Sequence, residues 1–268
     1  MNEAILKKIK SLPPMPETVT KIQAICNNAN SSISDLIKIV EKDPSLVANL
    51  LKAANSPLYG FSREIKNVSQ AVSLFGMATV KGFAIASAVR SSFKMDLTPY
   101  GLATSDFIRL SEEQNALTIN WYKKKDRDKL EILAPASFLL EIGMVVCADF
   151  IKKEGKEKEF LKAIKSDDPR TEVEREFMGS SSEVVASKIF EHWNFETLMV
   201  ESIRYLENPE EAQEEAQEYA MVLRVVKEAA NTKERFTEDS LESAYRYIAK
   251  YGLDKSAFED ALKSGDYA

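Results

Sequence analysis

A single histidine, His192, occurs among the 268 residues of this sequence. Metal-dependent hydrolases and enzymes with a histidine acid or base use imidazole because its pKa lies near neutrality and its nitrogen binds metals well. The scarcity of histidine therefore argues against both classes. His192 precedes Trp193 near the end of a predicted helix. We expect a structural hydrogen bond or packing against the indole, with a regulatory proton switch as the alternative.

Other nucleophiles are equally sparse. The two cysteines, Cys26 and Cys147, lie in apolar helical surroundings, where we expect reduced core thiols. The segment 179–182 reads Gly-Ser-Ser-Ser, but it lacks the second glycine of a nucleophile elbow and a plausible histidine–acid partnership. No glycine-rich phosphate-binding motif occurs. These residues predict no nucleophilic or nucleotide-dependent catalysis.

Apolar residues recur at spacings of three and four along the whole chain, and no segment alternates as a strand would. The pattern predicts an all-α fold. Three dipeptides place a side-chain acceptor at a helix N-cap and proline at the first helical position: Asp43-Pro44, Asp168-Pro169 and Asn208-Pro209.

The segment 91–105 breaks the helical periodicity with Pro99 and Gly101, which predicts a connection between two helical lobes. We place the lobes at about residues 1–95 and 105–210. Residues 211–268 are predicted to form a C-terminal helical extension that packs on the lobes or binds a partner.

The composition, with 44% hydrophobic residues and a net charge of −6, is that of an ordinary soluble protein. The N-terminus lacks the apolar stretch of a signal peptide, and no run approaches about 18 successive apolar residues. We expect a cytoplasmic protein that does not bind membranes. The basic segment 123–129 is interrupted by two aspartates, so no nucleic-acid partner is expected.

Five linked motifs occupy the first eighty residues: LPPMPE at 12–17, ISDLI at 33–37, EKDPSL at 41–46, LLKAANSPLYG at 50–60 and AVSLFG at 71–76. Their order and spacing resemble the HDOD family, the "HD-related output domain" of bacterial signalling proteins, with small departures such as Met15 and Phe75. The resemblance covers about residues 1–210. It implies a helical lobe packed on a degenerate HD-type lobe.

The family is related to the HD-GYP and other HD phosphohydrolases, whose metals are held by histidines and a His-Asp pair. The resemblance places other residues at those positions in this chain: Leu110, Leu140, Glu141, Ser181 (or Ser182), Leu206 and Glu207. Leucine cannot bind a metal. We therefore expect a vestigial site without metal or cofactor, in which the leucines are buried and Glu141 meets solvent or an arginine.

The resemblance implies a non-enzymatic signalling module that acts through protein–protein interaction in a bacterial regulatory pathway, related to motility or stress. The partner is unidentified. Two alternatives stay open: a small-molecule or nucleotide sensor that uses the cleft between the lobes, and a residual metal-dependent phosphohydrolase.

The turn at 55–61 is the predicted partner surface, because it concentrates apolar and aromatic area beside turn-forming residues. The residues expected to take part are Asn55, Ser56, Leu58, Tyr59 and Phe61. The alternative is that the apolar side chains point inward and fasten the turn.

Overall fold

The structure is a computed structural model that describes residues 1–267 except 27, 29, 62, 63 and 167, and the side chains of all described residues except 90 and 92. The helices are α1 (Glu3–Lys10), α2 (Glu17–Cys26), α3 (Ile33–Val40), α4 (Pro44–Ala54), α5 (Val68–Ser92), α6 (Thr104–Tyr122), α7 (Leu130–Phe138), α8 (Gly143–Lys153), α9 (Glu157–Ile164), α10 (Arg170–Met178), α11 (Ser182–His192), α12 (Thr197–Arg204), α13 (Glu214–Ala229), α14 (Glu238–Tyr251) and α15 (Lys255–Ser264). Single 3₁₀ turns lie at Pro57–Tyr59, Thr98–Tyr100 and Pro209–Glu211. The described residues contain no strand beyond one isolated bridge. The all-α prediction is confirmed.

One of the three predicted helix starts has the expected form. Asp43 caps α4, where its Oδ1 accepts a hydrogen bond from the Leu46 amide at 3.0 Å and Pro44 is the first helical residue. Pro169 instead occupies the N-cap of α10 in extended backbone, and Pro209 begins only a 3₁₀ turn before α13. Neither of these two starts has a side-chain cap.

Helix α5 packs against helices of both predicted lobes. It packs on α2, α3 and α4 and also on α7. Its helical geometry is interrupted at Gly76, which has φ +80° and ψ 165°. Because side chains disfavour positive φ, glycine lets the axis change direction there.

Helices α8 and α11 approach each other backbone to backbone. A Cβ at Gly143 would lie 1.9 Å from the Ser182 carbonyl oxygen, so only glycine fits this crossing. The contact brings the turn before α8 next to the first turn of α11, and it is this juxtaposition that builds the site described below.

The C-terminal extension packs on the second lobe. Helix α13 contacts α6, α7 and α12, and α15 contacts α6. Val222, Leu223 and Phe258 are buried in the same apolar core as the lobes. Of the two expected fates of the extension, packing on the lobe is the one observed.

Two helical stretches, 68–89 and 130–153, are long and apolar enough to cross a membrane by length and composition. Both contain polar residues, and 67% and 94% of their most apolar windows are buried inside the fold. Core helices of this kind pass the same test of length and composition, so the two stretches are weak evidence for a membrane span.

Candidate functional site

Three glutamates from three segments surround the guanidinium group of Arg170, the first residue of α10. Its Nη2 lies 2.8 Å from Glu141 Oε2 and 2.9 Å from Glu183 Oε1, and its Nε lies 3.4 Å from Glu174 Oε1. Glu141 precedes α8, Glu174 is one turn along α10, and Glu183 is in the first turn of α11. The glutamates are at most 1% exposed, and the Arg170 side chain is 10% exposed.

Two neighbouring elements extend this arrangement. Lys227 of α13 forms an ion pair with Glu183 Oε1. Gln114 of α6 donates hydrogen bonds from Nε2 to Glu141 Oε1 at 3.3 Å and to the Ala230 carbonyl at 2.8 Å. The C-terminal extension therefore contributes directly to the interior of the second lobe.

Glu174 is held by two further donors. The Tyr100 hydroxyl donates to its Oε1 at 2.9 Å, and the Ser182 amide donates to its Oε2 at 2.7 Å. Hydrogen bonds to the charged form stabilise a buried carboxylate. We call this set of buried and half-buried polar residues the Arg170 cluster: Gln114, Glu141, Arg170, Glu174, Glu183 and Lys227.

The charges of the cluster hold one another ionised. Burial alone would raise the pKa of Glu141, but the charges of Arg170 and Lys227 lower it below its usual value. Burial alone would lower the pKa of Arg170, but Glu141 and Glu174 raise it. Burial and the charge of Arg170 together lower the pKa of Lys227 to about 8. The glutamates of the cluster therefore already contact two cations of the protein itself, Arg170 and Lys227.

The residues at the predicted vestigial positions differ in their environments. Leu110, Leu140 and Leu206 are 2%, 1% and 0% exposed, so their expected burial is confirmed. Glu141 meets an arginine, which was one of its two expected environments. Ser181 is buried and precedes α11.

Glu207, the last of those positions, lies outside the buried cluster. It pairs with Arg175, and the two side chains are 22% and 47% exposed.

A metal ion does not fit the residues at these positions. The three leucines offer no donor atom, and no three of the His, Cys, Asp and Glu side chains in the described ranges are arranged to hold a metal. Glu183 Oε2 and Ser181 Oγ lack a hydrogen-bond partner among the described residues. The other oxygen of Glu183, however, already contacts Arg170 and Lys227, whose positive charges would repel a metal ion.

Five members of the cluster were not predicted from the sequence: Gln114, Arg170, Glu174, Glu183 and Lys227. The spacing of Arg170 and Glu174 is the i, i+4 spacing of helix ion pairs, which could have indicated their contact. Glu183 and Lys227 are 44 residues apart in the chain, and no local pattern indicates their pairing.

The single histidine has a structural environment. His192 Nε2 lies 3.3 Å from the Leu12 carbonyl oxygen, and Trp193 Nε1 donates to the Pro13 carbonyl at 2.9 Å. The expected hydrogen bond at the helix end is confirmed. Both cysteines are free thiols, and burial raises the pKa of Cys26 to about 11, which disfavours the reactive thiolate.

Tyr59 is not the exposed anchor that the sequence predicts. It is 1% exposed, its hydroxyl donates to Asn115 Oδ1 at 3.0 Å, and its ring meets Phe75 edge-on with centroids 5.1 Å apart. The exposed interpretation of Tyr59 is therefore wrong, because α5 and α6 enclose the ring. Phe61 is half-buried against the same Phe75, at 5.2 Å.

The polar residues of the turn form local bonds. The Asn55 side chain bonds both backbone groups of Ile65 at 2.8 Å, and Ser56 Oγ accepts from the Leu58 amide at 3.4 Å. Leu58 is half-buried. These contacts give Asn55 and Ser56 architectural roles, while partner binding by the accessible parts of the turn stays a prediction.

The C-terminal segment covers the turn. The Asp266 amide donates to the Pro57 carbonyl at 3.3 Å, and Asn120 Nδ2 donates both to the Leu58 carbonyl and to the Tyr267 hydroxyl at 2.9 Å. We call residues 264–267 the C-terminal strap.

We expect Gly60→Ala to lower the free energy of unfolding by about 1–3 kcal/mol. Gly60 has φ +67°, and a Cβ there would lie 2.0 Å from the Ser264 carbonyl oxygen in the strap. Gly155→Ala is the matched control, because Gly155 has the same φ with no atom near the Cβ position. Equal losses in urea unfolding of the two variants would show that the strap does not rest on the turn.

The sequence profile of the HDOD domain matches residues 12–209, which is most of the chain. The chain belongs to the HDOD family. The match includes the turn at 55–61 and every member of the Arg170 cluster except Lys227. This HDOD protein therefore draws the second cation of its cluster from outside the family domain.

Solved structures share the fold of this HDOD protein. A virulence factor from Campylobacter jejuni subsp. jejuni is 27% identical with a TM-score of 0.61, and the alignment covers 99% of this chain and 97% of that one. A candidate phosphohydrolase from Shewanella amazonensis is 22% identical with a TM-score of 0.74 and coverages of 97% and 93%. A candidate signal transduction protein from Marinobacter aquaeolei is 22% identical with a TM-score of 0.67 and coverages of 97% and 58%.

A curated relative, an uncharacterised protein from Treponema pallidum, is 30% identical over 74 residues. That match spans 28% of this chain and only 14% of the relative's length.

Proposed function

We propose that this HDOD protein is a non-catalytic signal-transduction module whose output is protein–protein interaction. The observation that carries the proposal is the Arg170 cluster. In a metal-dependent phosphohydrolase, a bound metal polarises the phosphate and lowers the pKa of an attacking water. Here Glu141, which the family resemblance places at a metal-ligand position, contacts Arg170, and the neighbouring Glu183 contacts Arg170 and Lys227. A guanidinium group whose pKa is raised further cannot act as a base at neutral pH.

Membership of the HDOD family supports the signalling part of the proposal. A structural neighbour named as a candidate signal transduction protein has the same fold, and at 22% identity that similarity concerns the fold alone. The structural similarity to a candidate phosphohydrolase is at 22% identity and concerns the fold alone. Fold and catalytic residues can diverge independently, and the residues at this site favour the non-catalytic interpretation.

We expect the purified protein to contain no stoichiometric iron, manganese or zinc and to lack phosphodiesterase activity. The reason is that Leu110, Leu140 and Leu206 offer no donor atoms, and that Arg170 and Lys227 already pair with Glu141 and Glu183. Elemental analysis would be performed before and after incubation with excess manganese, and each sample would be assayed on a chromogenic phosphodiester with and without chelator. About one metal ion per chain, together with activity that chelation abolishes, would contradict the proposal.

A further inference from the structure

A cleft of about 690 Å³ opens where the first turn of α10 and residues 207–208 face α13 and residues 231–233. It lies between the HDOD domain and the C-terminal extension. Its volume is within the range of about 300–1,000 Å³ that is typical of small-molecule sites. Five cations line it: Arg170, Arg175, Arg224, Lys227 and Lys233. Four acids line it as well: Asp168, Glu172, Glu207 and Glu228.

The cations differ in how much of their charge is already compensated. Arg175 pairs with Glu207, and Arg224 pairs with Glu228. Lys233 Nζ donates to the Ser166 carbonyl at 2.6 Å, and no carboxylate among the described residues forms an ion pair with it.

Lys227 lies deeper, with its side chain 13% exposed, and its described partner is Glu183. Since an ammonium group has three donors, Lys227 retains hydrogen-bonding capacity toward the cleft.

Two further kinds of donor line the same cleft. The first turn of α10 lies in its wall, and this nine-residue helix has no side-chain cap. Thr171 and Thr232 add hydroxyl groups. Helix N-termini, hydroxyls and cations together are the donors that bind phosphate in proteins.

We propose that this cleft binds a small organic phosphate, with the phosphate group between Lys227 and Lys233 at the start of α10. The acids at the wall, Asp168 and Glu172, disfavour a bare polyanion and accept hydrogen bonds from hydroxyl or amino groups. The ligand class is therefore a phosphomonoester with a hydroxyl-bearing body, such as a sugar phosphate or a nucleoside monophosphate. The site binds this phosphate without hydrolysing it. The absence of hydrolysis rests on the proposed function, whereas the binding does not.

The test is isothermal titration of the full chain with ribose 5-phosphate, adenosine monophosphate, inorganic phosphate and ribose. We expect binding of at least one organic phosphate with a dissociation constant of about 1 mM or tighter, and weaker binding of both inorganic phosphate and ribose. The first two probes distinguish the two sources of the phosphate, since a nucleotide site requires the base and a sugar-phosphate site does not. No heat from either organic phosphate at that concentration would overturn the proposal.

Lys233→Met should weaken binding of the organic phosphate about 10-fold or more, because a charged hydrogen bond is lost. Lys158→Met is the control, since Lys158 is an exposed lysine of α9 outside the cleft. Equal weakening in both variants would mean non-specific charge attraction and would overturn the site.

Thr171→Val is a second variant, which keeps every charge and should also weaken binding of the organic phosphate. Unchanged affinity in both Lys233→Met and Thr171→Val would refute the site. Phosphate release from a bound probe would contradict the proposed non-catalytic function while leaving the binding site in place.

Discussion

Arg170→Met is expected to lower the free energy of unfolding by about 3–5 kcal/mol at pH 7, the cost of removing one partner from a buried ion pair. Methionine preserves much of the side-chain volume, so the loss reports charge more than packing. The substitution leaves Glu141, Glu174 and Glu183 together with Lys227 as their nearby cation. Urea unfolding of both proteins measures the difference.

The difference in free energy of unfolding between the native protein and Arg170→Met should become smaller as the pH falls from 7 toward 4. In the native protein the pKa of Glu141 is lowered, so its stabilising contribution is present above its ordinary pKa of 4.5 and is lost as the pH falls through the folded value. In the variant, we expect burial without Arg170 to raise the pKa of Glu141 above its ordinary value. The folded variant then binds more protons than its unfolded chain, and its stability increases as the pH falls.

Arg175→Met is the matched control, because Arg175 lies on the same helix but pairs with Glu207 at the surface. Exposed ion pairs contribute about 0–1 kcal/mol. A loss for Arg170→Met no larger than for Arg175→Met, or one independent of pH, would contradict the assignment of Arg170 as the central cation of the cluster.

The helical class and one helix start could be predicted because their causes are local. Asp43 and Pro44 act within one turn of backbone, and their roles are the same in any helical protein. The same dipeptide pattern predicts helix starts at Asp168-Pro169 and Asn208-Pro209. Pro169 instead lies at the N-cap of α10, outside the helix, and Pro209 begins only a 3₁₀ turn. Neither of these starts has a side-chain cap, so the dipeptide alone does not determine the residue at which the helix begins.

The residues of the candidate site also differ in whether the sequence alone could predict their environment. Burial of Leu140 and Leu206 followed from apolar residue type, and the arginine beside Glu141 was one of two expected environments. The identity of that arginine could not be predicted, since Arg170 follows Glu141 by 29 residues and reaches it through the packing of α10 on α8. Lys227 comes from an extension whose packing has no local signature.

The turn at 55–61 supplies the second large effect. Tyr59→Ala is expected to lower the free energy of unfolding by about 3–5 kcal/mol, through lost transfer energy and a cavity beside Phe75 and Phe83. Tyr59→Phe keeps the ring but removes the donor to Asn115 Oδ1, which is buried, so we expect a loss of about 1–3 kcal/mol. Thermal and urea unfolding of the two variants separate the ring from the hydroxyl.

Phe61→Ala is the comparison within the same turn. Phe61 is half-buried, so its truncation removes less buried area and should cost less than Tyr59→Ala. If Tyr59→Ala left stability unchanged, the ring would be exposed in solution and the strap would not cover the turn. We expect a large loss because the turn connects several elements. The Tyr59 hydroxyl donates to Asn115 of α6, the Pro57 carbonyl accepts from the Asp266 amide of the strap, and the Leu58 carbonyl accepts from Asn120 Nδ2. A partner that binds this turn must therefore contact Phe61 and Leu58 beside the strap, or displace the strap first.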